Sequence, residues 1–270
     1  MATPIGNLGD ISTRALAVLR AASMVAAEDT RTSATILRLA GSRARLLSLT
    51  EHNVVQRTPE LLAEARARPV ALVSDAGTPV VADPGARLVA AAHDARLAVF
   101  AVPGPSALAA AISVSGFAGE DVHFLGFLPR PRAERIARLT AAARGRAVVV
   151  FFESPKRLPT TLAELAVALD DPPVAVCREL TKLHEEVVRG NAADLAVRFA
   201  GTRGECTVIV DTSACAAAHE DSEALRTYMS EMQRAGAQRA AAAAVAAQRF
   251  GVPRGEAYAC WDERLQTDRI

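Results

Sequence analysis

The residues best suited to chemistry in this sequence lie in the segment SDAGTPVVADPG, from Ser74 to Gly85. The segment follows the apolar run 69–73, so a short buried strand ends in an aspartate and enters a loop of glycine and proline turns. Open α/β sheets bind ligands at the carboxyl ends of their strands. The carboxylate of Asp75 is costly to bury there unless it holds a partner. For the loop alone, an ordinary strand-to-helix connection explains the pattern equally well.

Polar and turn-forming residues also follow three other predicted strands. These segments are PGPSAL (Pro103–Leu108), ESPKR (Glu153–Arg157) and RELTKLHEE (Arg178–Glu186). In the first of them, Gly104 between two prolines indicates a sharp turn, and Ser106 stands where it can cap the helix that follows. Because strand ends gather at one edge of an α/β sheet, we expect these segments to line a common crevice.

The elements that must position these residues alternate in type, which favours an α/β architecture. The predicted strands are 70–74, 97–102, 146–152, 174–177 and 206–211, with weaker signals at 46–49 and 122–127. The predicted helices are 13–27, 31–40, 59–67, 86–95, 106–113, 131–143, 158–169 and 192–199. Turn signals around Gly116–Glu120 predict the joint between two domains, 1–117 and 118–212.

Both ends of the chain depart from this alternation. The opening residues ATPIGNLGDIS read as a loop that should follow a strand, so we expect the first strand of the fold to be missing. A polar, alanine-rich linker is predicted at Ser213–Asp221, followed by three short helices within 222–270 that begin near Glu223, Gln238 and Glu256. Tight turns between such helices are typical of a helix-turn-helix module. Packing and nucleic-acid contact both remain open as roles for it.

Composition excludes several classes of protein. No apolar run is long enough to span a bilayer, and the formal net charge is only +1. The four cysteines have no paired spacing, which favours a reducing cytoplasm over a disulfide framework or a zinc site. Phosphate-loop, dinucleotide-binding and serine-hydrolase motifs are absent, and the five histidines have no metal-ligand spacing. We therefore expect no metal and no membrane partner.

Nine segments together resemble one family in their order along the chain. They are TPIGNLGDIS, AAEDTR, EHN, SDAGTPVVADPG, VPGPSALAAAISVSGF, FLGFLPR, FFESPKRL, CRELTKLHEEVVRG and GECTVIV. The sequence resembles the ribosomal RNA small subunit methyltransferase I family, which are 16S rRNA cytidine-2′-O-ribose methyltransferases of the tetrapyrrole methylase superfamily. The resemblance runs from Ala2 to about Val210, and the tail is similar to that family's C-terminal helical module.

The resemblance implies a two-domain tetrapyrrole-methylase-like α/β fold with a small C-terminal helical module. It implies a cytoplasmic homodimer that holds S-adenosylmethionine between its domains and methylates a cytidine ribose 2′-hydroxyl in the decoding region of 16S rRNA, within the small ribosomal subunit. By matching motifs, it assigns the cofactor to Pro4, Asp75, Ala76, Gly77, Ser106, Ala107, Phe152 and Thr207.

The residues leave the proton acceptor open, because a ribose hydroxyl is a poor nucleophile and several groups could take its proton. The candidates are Lys156 and Lys182, if either is neutral, or one of Glu153, Glu179 and Glu185. The lysines could equally bind RNA phosphates, the role that we favour for Arg157 and Arg178. Arg31 and Asn53 are expected on the substrate side.

Two other functions compete with this interpretation. One is methylation of a corrinoid or porphyrin carbon by a relative of the same superfamily, which the near-zero net charge favours slightly. The other is an RNA-binding or assembly factor without turnover. The ESPKR and RELTKLHEE segments argue against the first, and the segments around Asp75 and Ser106 argue against the second.

Overall fold

Strands and helices alternate along most of the chain, as the apolar pattern predicts. The computed structural model describes residues 1–82, 85–117, 121–143, 147–250 and 252–262. The strands are β1 (Met24–Ala27), β2 (Arg45–Ser48), β3 (Val70–Leu72), β4 (Asp121–Phe127), β5 (Ala147–Glu153), β6 (Pro173–Arg178), β7 (Glu186–Asn191) and β8 (Cys206–Asp211). The helices are α1 (Thr13–Ala21), α2 (Thr30–Ala40), α3 (Val54–Ala65), α4 (Ala86–Asp94), α5 (Ala107–Ser115), α6 (Arg132–Ala142), α7 (Leu158–Ala168), α8 (Ala192–Arg198), α9 (Ser213–Arg234), α10 (Arg239–Phe250) and α11 (Arg254–Asp262).

A parallel sheet in the order β2-β1-β3 forms the centre of what we call the first lobe. All four residues of β1 are buried, with Val25 packed among α1 and α2 and Met24 among α3 and α4. Helices on both faces of a parallel sheet require such a continuous apolar strand. The predicted helix 13–27 is therefore wrong beyond Ala21, because pairing on both sides of β1 outweighs the local helical pattern.

The segment 97–102 was predicted to be a strand, and the structure contradicts this. It forms no strand ladder with another part of the described chain. Its last residue, Val102, accepts a hydrogen bond at 3.0 Å from the amide of Ala2, while Phe100 is 82% exposed. A strand needs a hydrogen-bonding neighbour along its length, and the described chain supplies one only at Val102.

The second lobe is built on a five-stranded sheet in the order β4-β5-β8-β6-β7. Only β4 and β5 are parallel, and the other neighbours run antiparallel. Helices α6, α7 and α8 cover one face, and α5 packs on the other through Ala111. Helix α5 thus packs across the boundary at 117, which stays a prediction. Residues 118–120 of the predicted joint, and Arg146 of the predicted strand, lie outside the described residues.

A separate helical module ends the described chain. Its core contains Leu225, Met229 and Ala243, and α10 and α11 pack against α9 around them. The predicted linker at Ser213–Asp221 is instead the first part of α9, since its alanines favour helix. The predicted third helix is α11, and the continuation predicted beyond Asp262 lies outside the described residues.

No helix in the described ranges combines the length and apolarity that crossing a membrane requires. Within the same ranges, no group of three or more histidine, cysteine, aspartate or glutamate side chains is arranged to hold a metal ion.

Candidate functional site

A cavity of about 400 Å³ is lined by residues of both lobes. Its volume falls within the range of about 300–1,000 Å³ that is usual for small-molecule sites. Seven of the eight residues predicted to bind the cofactor line it, namely Asp75, Ala76, Gly77, Ser106, Ala107, Phe152 and Thr207. The eighth, Pro4, is buried beside the lining residue Ile5 and is not itself among the lining residues.

The loop after β3 is held in shape by the amino-terminal segment. The backbone of Thr3 exchanges two hydrogen bonds with Gly77, at 2.9 and 3.0 Å, and the Thr3 hydroxyl donates to the Ser74 carbonyl. The Asp75 carboxylate accepts a hydrogen bond at 2.8 Å from the amide of Asp29. Gly77 has a φ of +78°, a conformation that favours glycine. These contacts fix the backbone that forms one wall of the cavity.

The start of α5 forms a second part of the wall. Ser106 occupies the N-cap position, as predicted, and its carbonyl accepts from the amide of Ala110. Its hydroxyl, however, makes no capping hydrogen bond and lies at the cavity. A helix start without a side-chain cap keeps backbone N–H groups and a positive dipole end available for a carboxylate or hydroxyl ligand.

The ends of three neighbouring strands form the third part. Phe152 of β5 and Cys177 of β6 both pair with Thr207 of β8, and Glu153 pairs with Cys206 one step further along. All five residues line the cavity. The expectation that strand ends meet at one crevice is confirmed for these strands.

Glu153 is a buried carboxylate with every contact directed into the protein. It accepts hydrogen bonds from the Thr161 hydroxyl at 2.9 Å and from the Ser154 amide at 2.8 Å, and it pairs with Arg157 at 3.2 Å. Arg157 donates in turn to the carbonyl of Leu128. Glu153 thereby positions the loop after β5.

Lys182 lies between two carboxylates at the second lobe's side of the cavity. Its Nζ donates to Glu179 at 2.9 Å and to Glu205 at 2.7 Å, and Glu205 lines the cavity. Burial opposes the charge on Lys182, but the hydrogen bonds that it donates to Glu205 and Glu179, together with the charges of these carboxylates, outweigh burial and raise the pKa of Lys182. The amide of Glu205, followed by Lys182, lowers the pKa of Glu179. Both groups are therefore charged at neutral pH.

This cluster also carries backbone strain and joins the lobes. Glu179 and Thr181 have φ values of +51° and +66°, which residues other than glycine rarely adopt. A side chain added at Gly6 would overlap Lys182 and lie 2.9 Å from the Thr181 hydroxyl oxygen. The amino-terminal loop and the segment after β6 therefore pack directly against each other. Strain of this kind is typical of functional sites.

The Lys182 ion pairs predict a specific dependence of stability on pH. The contribution of Glu179, whose folded pKa is lowered, should be present above 4.5 and be lost as the pH falls through its folded pKa. The contribution of Lys182, whose folded pKa is raised, should be present below 10.5 and be lost as the pH rises through its folded pKa. Urea unfolding of Lys182→Met should show a loss of stability that is greatest between these limits and shrinks outside them.

Lys156→Met is the matched control for this experiment, because Lys156 is exposed and forms no ion pair within the described residues. A stability loss in Lys182→Met that is the same at neutral pH, below the folded pKa of Glu179 and above the folded pKa of Lys182 would contradict the assignment.

Two thiols line the cavity, and both are kept protonated. Burial raises the pKa of Cys177 to about 12. Burial likewise raises the pKa of Cys206 to about 11, against the lowering effect of Arg178. Since the thiolate is the nucleophilic form, neither cysteine is a nucleophile at neutral pH.

None of the four residues predicted to contact substrate is among those that line the cavity. The side chain of Arg31 is 90% exposed and pairs with Asp29 at 2.7 Å, which lowers the pKa of Asp29 to about 2. The side-chain amide of Asn53 stabilises a local turn. Its oxygen accepts a hydrogen bond from the Thr50 amide, and its nitrogen donates to the Ser48 carbonyl.

The two arginines predicted to bind phosphates already have protein partners. Arg157 is held by Glu153 and by the Leu128 and Pro129 carbonyls. Arg178 donates to Glu186 and to the Arg203 carbonyl. Their known contacts are with the protein itself, and both assignments stay predictions.

Sequence reasoning missed several lining residues, of which Ile5, Phe127, Leu180 and Glu205 contribute most to the argument. Each lies within or beside a segment that carries the resemblance, so a signal was present. The sequence does not show which side chain of each loop faces the cavity, because that depends on how the two lobes pack.

A cavity between two α/β lobes, walled by strand ends and a helix start, is the kind of site that binds a small-molecule cofactor. The family of tetrapyrrole (corrin/porphyrin) methylases matches residues 2–196. The chain belongs to this family, and it is an S-adenosylmethionine-dependent methyltransferase of the ribosomal RNA small subunit methyltransferase I branch. The resemblance read from the nine segments is thus confirmed.

The relatives that place it in this branch are similar over three quarters of the chain or more. Ribosomal RNA small subunit methyltransferase I of Micromonospora olivasterospora is 42% identical over 99% of this chain and 86% of its own length. The protein of the same name from Mycobacterium tuberculosis is 43% identical over 99% of this chain and 94% of its own. That of Thermotoga maritima is 42% identical over 77% of this chain and 95% of its own.

Solved structures support the fold. A cobalt precorrin-4 methyltransferase of cobalamin biosynthesis aligns with a TM-score of 0.58 and 20% identity, covering 77% of this chain and 91% of its own. Uroporphyrin III C-methyltransferase from Thermus thermophilus aligns with a TM-score of 0.56 and 18% identity, covering 79% of this chain and 96% of its own.

The cavity fits S-adenosylmethionine chemically. Gly77 leaves space where a side chain would meet Ile5 at 3.3 Å, and the uncapped helix start at Ser106 suits a carboxylate or ribose hydroxyl. Phe152 offers an apolar face for a base, and the Asp75 carboxylate can accept from hydroxyl or amino groups. The cofactor supplies an electrophilic methyl group, and the protein supplies binding, orientation and exclusion of water.

Proposed function

We propose that the protein transfers a methyl group from S-adenosylmethionine to the 2′-hydroxyl of a cytidine in the decoding region of 16S rRNA, within the small ribosomal subunit. The observation that carries this proposal is the 42–43% identity to ribosomal RNA small subunit methyltransferase I over 99% of the chain. We further propose that it acts in the cytoplasm as a homodimer, as the resemblance implies.

For this reaction the protein must align the two reactants and exclude water. In-line transfer requires the hydroxyl to face the methyl group in a site from which water is excluded, and positioning alone contributes a large part of such rate enhancements. In this proposal, the cavity walls around Gly77, Ser106 and Phe152 align the reactants and exclude water. The eight residues assigned to the cofactor above remain our proposed set.

The direct test is incubation of the protein with labelled S-adenosylmethionine and small subunits that lack the modification, followed by mapping of the label. Label on the ribose of one cytidine supports the proposal. Label found only on an added tetrapyrrole would assign the protein to carbon methylation, and RNA binding without label would assign it to assembly.

The environment of Lys182 leads to a prediction about proton removal. Two carboxylate partners keep this lysine charged, so it does not offer the free amine that a base requires. We therefore expect Lys182→Arg, which keeps the charge, to retain most of the methyl-transfer rate across the pH range. The opposite result would be a large loss of rate in Lys182→Arg together with a wild-type rate that rises at high pH. That result would identify Lys182 as the proton acceptor. The same test applied to Lys156 addresses the remaining lysine, and Glu179→Gln addresses the carboxylate.

A further inference from the structure

Phe127, at the end of β4, is an aromatic side chain placed at the cavity yet left open to solvent. It lines the cavity and is 63% exposed. Its ring meets the ring of Phe152 edge-on, with 5.5 Å between centroids, and Phe152 meets Phe124 in the same way at 5.0 Å. One edge of Phe127 is thus fixed by an aromatic cluster while much of its surface stays free.

The backbone after Phe127 is held rigidly. Leu128 is buried in the core of the second lobe. Arg157 donates to the carbonyls of Leu128 and Pro129, and Arg135 donates to those of Pro129 and Arg130, at 2.7 to 3.1 Å. Both arginines are themselves fixed by buried carboxylates. An exposed aromatic ring on so constrained a backbone is presented at little cost in conformational entropy.

Basic residues follow Phe127 along the chain and in the loop that Arg157 ties to it. Arg130 and Lys156 are exposed on these two loops and Arg132 is exposed at the start of α6, and we call the three the basic rim. Among the described residues, neither Arg130 nor Lys156 forms an ion pair, and Arg132 only shares Glu164 at 3.5 Å. Glu205, the exposed carboxylate of the cavity, is paired with Lys182. Two of the three rim residues, Arg130 and Lys156, therefore carry charge without an ion-pair partner among the described residues.

These observations fit a single-stranded stretch of RNA, because unpaired bases stack on aromatic rings while basic side chains bind the backbone. We infer that Phe127 stacks on an unpaired base of the RNA substrate, and that the basic rim binds the phosphates beside that nucleotide. The inference rests on the proposed function and adds to it the surface that receives the RNA.

The test compares Phe127→Leu with Phe127→Trp and with Phe100→Leu, a control that removes an exposed ring from the segment 97–102. Loss of one stacked base should raise the KM for small subunits by about tenfold to a hundredfold in Phe127→Leu. Phe127→Trp should restore the wild-type KM, and Phe100→Leu should not change it. Calorimetry should give the same S-adenosylmethionine affinity, within about twofold, for all of these proteins, since stacking on RNA is not part of cofactor binding.

Several outcomes would overturn the inference. A parallel loss of cofactor affinity in Phe127→Leu would assign the ring to the cofactor, and a change in sedimentation would assign it to contact with a second copy of the chain. If the wild type methylates the subunit and Phe127→Leu has the same KM, only this inference is overturned. A wild type that leaves the subunit unlabelled overturns the proposed function as well.

The salt dependence of RNA binding tests the basic rim separately from Phe127. Arg130→Gln should reduce the slope of log binding constant against log salt concentration by about 1, as expected for one lost phosphate contact. The control is Arg66→Gln, an exposed arginine at the end of α3 in the first lobe, which should leave the slope unchanged. Equal slopes for wild type and Arg130→Gln would remove Arg130 from the RNA surface.

Discussion

Replacement of Gly77 by valine is expected to lower the affinity for S-adenosylmethionine by on the order of 100-fold or more, about 2.7 kcal/mol of binding free energy. Two effects combine. The residue has a φ of +78°, where a non-glycine residue costs about 1–2 kcal/mol. In addition, the new side chain would begin 3.3 Å from Ile5 and fill the cavity wall opposite the start of α5. Isothermal calorimetry with the purified protein measures the effect.

Gly41→Val is the matched control for this variant. Gly41 ends α2 with a φ of +64°, so it carries similar backbone strain, but nothing lies within 4 Å of an added Cβ. Both variants should lose similar stability, and only Gly77→Val should lose cofactor affinity. Equal affinities for the two variants would show that the cavity is not the cofactor site.

The largest effect on stability is expected from Glu164→Ala. Glu164 and Arg135 form a buried pair with two hydrogen bonds of 2.8 Å, and their side chains are only 10% and 7% exposed. Removing the carboxylate leaves the guanidinium buried without its counter-ion, which costs about 3–5 kcal/mol. Denaturant unfolding should show this loss as a lower midpoint with an unchanged slope.

Glu60→Ala provides the comparison. Glu60 also pairs with two arginines, Arg45 and Arg57, but at the surface. Exposed pairs contribute little because water and salt screen them. We expect its unfolding midpoint to stay close to that of the wild type. If Glu60→Ala and Glu164→Ala were equally unstable, burial could not be the reason for the effect.

The sequence predicts the fold well wherever an apolar run is continuous. The strands β5, β6 and β8 lie in the middle of their sheet, so nearly every residue is apolar and the pattern is unambiguous. The sequence does not predict the edge strand β7, because its residues alternate between half-buried and exposed and its apolar run is only two residues long. For β1, four apolar residues follow a helix without a turn signal, so the pattern assigns the whole strand to that helix.

The sequence predicts which loops form the site, but not the partners of the side chains within it. The loops at Asp75 and Ser106 carry turn residues whose geometry is local, and the structure brings both to the cavity. The partners of Lys182 and the open face of Phe127 depend on packing between distant segments, which no local pattern encodes. The same limit applies to Arg157, because its place in the interior is set by Glu153 and by carbonyls about 30 positions away.

The protonated thiols of Cys177 and Cys206 have a consequence for an enzyme that handles an alkylating agent. Sulfur is normally the first atom in a protein to be alkylated, and here two sulfur atoms line the cavity that we propose as the cofactor site. Because burial raises the pKa of Cys177 to about 12, its thiol stays protonated at neutral pH. Suppressed ionisation therefore protects the catalyst from modifying itself between turnovers.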